Sequence, residues 1–281
     1  MSRLIVNADD FGLTPGVNRA IVELHAAGVL SSATLMARAA ATDEAVELAR
    51  STPTLGVGCH VVLVDGESAL EPNQIPSLID PRTGGFYPTL GTFLPRLLSG
   101  RIRAAEIEAE AHAQIASLQA NGISLTHIDT HKHAHMFAAV LRPVLCAARS
   151  CGIRALRNPF EPAWAVRAAA SAPWIRRSEV RLLHWLEPAF RRIAAEAGFT
   201  TSNGALGIAA TGTLDADAIR KLVQKLPAGT WELVSHPGYN DADLARVRTR
   251  LRASRENERA ALAALKNFSD LEIISYAKLK S

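Results

Sequence analysis

Four clusters of residues in this chain have the types and spacing to do chemistry. They are Asp9-Asp10, His60, the segment Thr126-His127-Ile128-Asp129-Thr130-His131-Lys132-His133-Ala134-His135, and Ser235-His236-Pro237-Gly238. The third is the densest. His127, Asp129, His131, His133 and His135 fall at every second position, which on an extended strand places all five on one face. A helix would align only His127, His131 and His135, but Asn121-Gly122 upstream and the run Ile123-Ser124-Leu125-Thr126 favour the strand, with the chain turning into loop after His131. Imidazole beside carboxylate suits a divalent metal, with neighbouring groups fixing each ring's tautomer. Four histidines exceed what one ion needs, so some of them support ligands or touch substrate. In Asp9-Asp10 one carboxylate can bind a metal while the other handles a proton, although such a pair also serves to cap a helix. His60 interrupts the apolar run Gly58-Cys59-His60-Val61-Val62-Leu63, as a ligand or as a hydrogen-bonded core residue. His236, held before a rigid Pro-Gly turn, is placed to donate a proton, or is a loop residue without a role.

These residues need elements to position them. Short apolar runs recur at Leu4–Ala8, Ala33–Ala37, Gly56–Val64, Ser124–Asp129, Ala155–Arg157, Ala205–Ala210 and Glu232–Ser235. Most are separated by amphipathic stretches such as Val17–Ala27, Ala104–Ala120 and Ala138–Ser150. Strand and helix alternating about seven times predict a single-domain α/β fold, a parallel sheet or a β/α barrel. Each chemical cluster then falls at a strand end, which is where such barrels build their sites. A proline- and glycine-rich loop insertion is expected at 65–94, helices at 241–281, and one domain across 1–281. Pro15 is expected in the first turn of a helix and Asn121-Gly122 at the end of another.

Composition narrows the classes. Hydrophobic residues make up 48% of the 281 and charged residues 21%, an ordinary globular balance that excludes disorder, collagen-like repeats and coiled coil. A net charge of +4 argues for no nucleic-acid partner. Cys59, Cys146 and Cys151 read as reduced thiols. No apolar run reaches the ~18 residues of a membrane span, and a cytoplasmic location is expected. The arginines are uneven, with ten between Arg142 and Arg192 and no lysine there. A basic amphipathic helix at 174–197 fits either peripheral contact with the inner membrane surface or the solvated outside of a barrel, and pairing with another subunit is a further use for it.

The motifs Asn7-Ala8-Asp9-Asp10-Phe11-Gly12, Gly58-Cys59-His60, His127 to His135 and Ser235-His236-Pro237-Gly238, in this order, resemble those of the YdjC-like carbohydrate deacetylases, relatives of the polysaccharide deacetylases. His60 to Glu67, Gln74-Ile75-Pro76 and Leu156 to Pro162 are similar to the branch associated with hopanoid biosynthesis. The resemblance implies a distorted β/α barrel that hydrolyses an N-acetyl group from an amino sugar, here a sugar-bearing hopanoid such as an N-acetylglucosaminyl bacteriohopanepolyol. It implies Asp10, His60 and His131 as metal ligands, Asp9 as general base and His236 as general acid. His127, Asp129, His133, Arg157 and Glu161 are expected to support these groups or touch substrate, Arg157 and Glu161 by gripping sugar hydroxyls. One divalent ion is implied, Mg2+ by resemblance, whereas two imidazoles and a carboxylate suit Zn2+ or another transition metal. The family usually has histidine where Lys132 stands, and on a strand Lys132 points away from the ion.

Amide hydrolysis fits these residues. A divalent ion lowers the pKa of bound water from ~15.7 towards ~7 and polarises the carbonyl, while a base and an acid move the two protons. The rival readings are a chito-oligosaccharide deacetylase, a metal-dependent phosphoesterase and a non-enzymatic sugar- or lipid-binding protein.

Overall fold

The computed structural model describes residues 2–168, 173–268 and 271–279. One parallel sheet organises them. Its strands are β1 (Ser2–Phe11), β2 (Ser32–Leu35), β3 (Gly56–Val61), β4 (Ile128–Thr130), β5 (Ala155–Leu156), β6 (Thr200–Thr201), β7 (Ala205–Leu206), β8 (Gly229–Ser235) and β9 (Glu272–Ile273). The order is β6-β5-β4-β3-β2-β1-β8-β7, with β9 added to the start of β1. The two ends of this order lie in one stretch of chain, 200–206. Ala205 N–H donates to Phe160 C=O and Glu232 N–H to Gly204 C=O, so the sheet curls until its edges meet. Taken as one broken strand, β6 and β7 complete the seven expected positions. β1 is central, its apolar residues fully buried between β2 and β8.

Because the named strands run parallel, their carboxyl ends open at one end of the barrel. Helices cover the outside. Thr14 caps the helix Pro15–Ala26, in which Pro15 takes the first turn, and Asn121 ends Ala104–Ala120, with Gly122 at φ +80°. The helix Ala104–Ala120 carries polar side chains on its buried face for a definite reason. Glu106 accepts from Ser77, Glu110 from the N–H groups of Ala69 and Leu70, and Gln114 bonds both backbone groups of Val62. Spaced by one helical turn, they fasten the long segment after β3, which has few backbone partners of its own. That segment leads into the helix Leu90–Leu98 rather than remaining loop to residue 94.

Two other expectations change. The predicted helix 174–197 is two helices, Trp174–Leu183 and Glu187–Glu196, joined by a 3₁₀ turn at His184–Leu186. Pro188 lacks the N–H that would bond the His184 carbonyl in a continuous helix. The C-terminal region contains helices Ala242–Arg246 and Arg252–Leu262, but it then returns to the sheet as β9. No helix among the described residues is long and apolar enough to cross a membrane.

Candidate metal centre

In a regular strand adjacent side chains face opposite sides, yet Asp9 and Asp10 both reach the barrel mouth. The β1–β2 register shifts between Ala8 and Phe11, and Asp10 lies at φ +64°. A non-glycine residue held there is under strain of the kind found at functional sites. The bulge turns both carboxylates towards His60, each within 4.8 Å of a ring nitrogen.

His60 is fully buried on β3 and donates from Nδ1 to Asp129 Oδ1 at 2.7 Å. A carboxylate only accepts, so Nδ1 carries a proton and Nε2 is the nitrogen that would give its lone pair to an ion. That atom lies 3.5 Å from Asp10 Oδ1 and 3.2 Å from His131 Nδ1, and His131 Nδ1 is 3.5 Å from Asp10 Oδ1. Donors bound at about 2.0–2.2 Å to one ion stand roughly 3–3.5 Å apart. Asp10 Oδ1 is buried without a hydrogen-bond partner. The three residues therefore fit a divalent cation. Burial disfavours charge on His60, but Asp129, Asp9 and Asp10 outweigh it and push its pKa up to about 9. The acids around this point favour a positive charge there, and a cation taking Nε2 would displace a proton from it.

A second group of possible donors, Asp9, His60 and Asp129, converges nearby. Arg157 already fills that role. It is fully buried, bonds both oxygens of Asp9 at 2.6 and 2.8 Å, contacts Asp129, and donates from Nε to Glu232 at 2.8 Å. Tyr276 O–H in turn donates to Glu232. Burial would raise the pKa of Asp9, but Arg157, His60 and His236 hold it far below the carboxylate range.

At the end of β8, His236 places Nε2 3.7 Å from Asp9 Oδ2 and Nδ1 3.7 Å from Glu258 Oε2. Burial works against its charged form, yet Glu258 and Asp9 raise its pKa above 6.5. Asp9 thus lies within reach of both His60 and His236.

The strand gives way near His131, as expected, so the alternating residues His127 to His135 do not all share one face. β4 ends at Thr130, and Lys132 and His133 take left-handed conformations, φ +57° and +54°. The turn presents His131 to the centre and sends Lys132 away to Asp65, at 2.6 Å. His133 has a buried Nδ1 without a partner, and burial lowers its pKa. His135 accepts from Thr130 O–H at 2.7 Å and donates to Arg157 C=O, which ties the turn to β5. His127 lies a layer below the mouth, stacked on Tyr276 with ring centroids 3.7 Å apart, and burial brings its pKa down to about 3. Among the described residues it makes no hydrogen bond to the donor atoms, and it packs beneath them. Arg157 and Glu161 also differ from expectation, since neither is free to hold a sugar hydroxyl. Arg157 spends its N–H groups on buried acids, and Glu161 accepts from the N–H groups of Gly207 and Ala209. Burial, partly opposed by those two bonds, raises the Glu161 pKa to about 7.

Glu232, Tyr276, Arg255 and Glu258 were not anticipated. Glu232 alone had a local signal, a charge inside an apolar strand. A cavity of about 430 Å³ has Leu13, Met36, Arg38, Asp43, Asp65 and Val247 among its lining, and Asp65 pairs with Lys132, next to His131.

The description "YdjC-like protein" matches residues 3–271. The chain belongs to this family. A carbohydrate deacetylase of Thermoanaerobacter pseudethanolicus is 27% identical over 93% of this chain and 91% of its own. A chitooligosaccharide deacetylase of Klebsiella pneumoniae (strain 342) is 41% identical over 53% of this chain and 57% of its own. The chain spans about half the length of several curated relatives it matches. A crystal structure from Enterococcus faecalis V583, described in connection with cellobiose-phosphate cleavage, superposes with a TM-score of 0.74 at 25% identity, covering 100% of this chain and 99% of that one.

Proposed function

We propose that this YdjC-like protein is a metal-dependent carbohydrate N-deacetylase. The observation that carries the reading is the convergence of Asp10 Oδ1, His60 Nε2 and His131 Nδ1 within 3.5 Å, with Asp9 and His236 alongside. A divalent ion held by these three donors would polarise the acetamide carbonyl and acidify the attacking water. Asp9, kept ionised by Arg157, accepts the proton of that water. His236, kept charged by Glu258, donates to the amine nitrogen as the C–N bond breaks. His133, at the mouth with an unpaired nitrogen, contacts the sugar. Two imidazoles and one carboxylate favour Zn2+ or another transition metal over the Mg2+ of the family resemblance.

The substrate is an N-acetylglucosaminyl group, and the branch motifs at His60 to Glu67, Gln74 to Pro76 and Leu156 to Pro162 favour a hopanoid polyol as its aglycone. The 430 Å³ cavity, partly apolar and rimmed by Arg38, Asp43 and Asp65, is of ligand-binding size and takes the group attached to the sugar. Trp174, Ile175, Leu182 and Trp185 are four of the five most exposed large apolar side chains among the described residues. With Arg181 between them, they suit an anionic bilayer at the inner membrane surface. The name of the Klebsiella relative favours a second reading, a chito-oligosaccharide substrate.

Acetate release separates these. Protein stripped with chelator and reloaded with Zn2+ or Mg2+ should release acetate from N-acetylglucosaminyl compounds, faster with a long apolar aglycone than with a second sugar. Preference for chito-oligosaccharides would give the substrate to the second reading. No acetate from a loaded centre would overturn the deacetylase.

A further inference from the structure

Both sides of the proposed centre rest on one helix, Arg252–Leu262, far away in sequence. Arg255 and Glu258 lie three residues apart, on one face of it. Arg255 is 1% exposed and contacts Asp10 Oδ2, leaving Oδ1 to face His60 and His131. Glu258 is 1% exposed. Its Oε2 accepts from the His236 backbone N–H at 2.6 Å and lies 3.7 Å from His236 Nδ1, while Oε1 accepts from Gly212 N–H. Arg255 C=O accepts from Gly238 N–H, and a side chain at Gly238 would stand 3.2 Å from Arg255 Cδ. The Pro237-Gly238 turn thus lets the helix approach closely.

Stability alone accounts poorly for Arg255. Its Nε and Nη1 are buried without partners among the described residues, and a buried guanidinium with unpaired N–H groups is a weak stabiliser. Asp10 is the carboxylate it meets. Resting on the reading of Asp10 as a ligand and His236 as the acid, we infer that the helix Arg252–Leu262 is a positioning clamp, in which Arg255 restricts Asp10 to one metal-facing oxygen and Glu258 fixes the His236 imidazole against Asp9. Neither residue touches substrate. The clamp couples the two halves of the centre, so displacing this helix disorganises both.

Charge and positioning predict opposite outcomes for Arg255→Met, which makes the test direct. Removing a positive charge beside the ion would by itself tighten binding. Loss of positioning loosens it, by about tenfold as for other residues that orient a ligand. Zn2+ is titrated calorimetrically into chelator-stripped protein, and this needs no substrate. Looser binding by Arg255→Met, with recovery in Arg255→Lys, is the expected result. Tighter or unchanged binding overturns the clamp on Asp10. Glu258→Gln keeps the shape and, with its one oxygen on the His236 N–H, gives up the longer bond from the Gly212 N–H; it should leave Zn2+ affinity unaltered while kcat falls at constant KM. An unchanged kcat, or a change confined to KM, overturns the clamp on His236. If the wild type released no acetate, the proposed activity would fail while the Zn2+ titration still decided the Asp10 half.

Discussion

His60 donates from Nδ1 to Asp129 Oδ1 at 2.7 Å, and this bond leaves Nε2 as the nitrogen free to bind metal. The tautomer is set by a residue on the neighbouring strand, through the β3–β4 register that places His60 opposite Asp129. Asp129→Asn keeps the shape but removes the charge that favours this tautomer. Zn2+ affinity should fall roughly 10–100-fold, measured by titrating stripped protein. Wild-type affinity in this variant would show that the ring is oriented by something else.

The alkaline side of the activity profile should belong to His236. Its pKa is raised above 6.5 because Glu258 and Asp9 together outweigh burial. As a proton donor it works in the charged form, so turnover is lost as pH rises through this raised value. Glu258→Gln removes the largest favourable contribution, and the alkaline limb of kcat should move to lower pH. A limb that stayed in place would assign it to another group.

Arg157 makes a stability prediction. It neutralises Asp9, Asp129 and Glu232 in a fully buried cluster. Arg157→Met leaves these acids uncompensated at about 3–5 kcal/mol, a melting-temperature loss on the order of 10 °C for a chain of this size. A thermal melt by circular dichroism checks this. A variant melting with the wild type would mean that the acids find other partners.

Gly58 tests the packing layer beneath the mouth. A methyl group there would lie 2.5 Å from the His127 ring, which is itself stacked on Tyr276. Gly58→Ala should cost about 1–3 kcal/mol by overpacking and leave Zn2+ affinity unaltered. Lost affinity at wild-type stability would place His127 in the centre after all.

Much of the fold and part of the centre were legible in the sequence. Asp9, Asp10, His60 and His236 stand out because polar groups at the ends of apolar strands need a reason. The rest depended on non-local or irregular backbone. Period-two spacing indicated a strand giving way to loop near His131, but not the left-handed residues at Lys132 and His133 that send His133 and His135 in separate directions. The bulge that turns Asp9 and Asp10 to one mouth has no sequence signature, since neither residue is glycine. Arg255 and Glu258 sit in Arg252-Ala253-Ser254-Arg255-Glu256-Asn257-Glu258-Arg259, which reads as a solvated charged helix. Only contacts spanning 245 residues, Arg255 to Asp10, and 22 residues, Glu258 to His236, bring them inside. β6 and β7, two residues each, are too short to carry a pattern.

The division of labour between Asp9 and the three proposed metal ligands, Asp10, His60 and His131, is the core of the account. Bound Zn2+ and acetate release from an N-acetylglucosaminyl substrate should be measured together on the wild type, Asp9→Asn and His131→Ala. Asp9→Asn should keep its metal and lose turnover, whereas His131→Ala should lose both. Equal metal loss in the two variants, or turnover surviving in His131→Ala without metal, would contradict it.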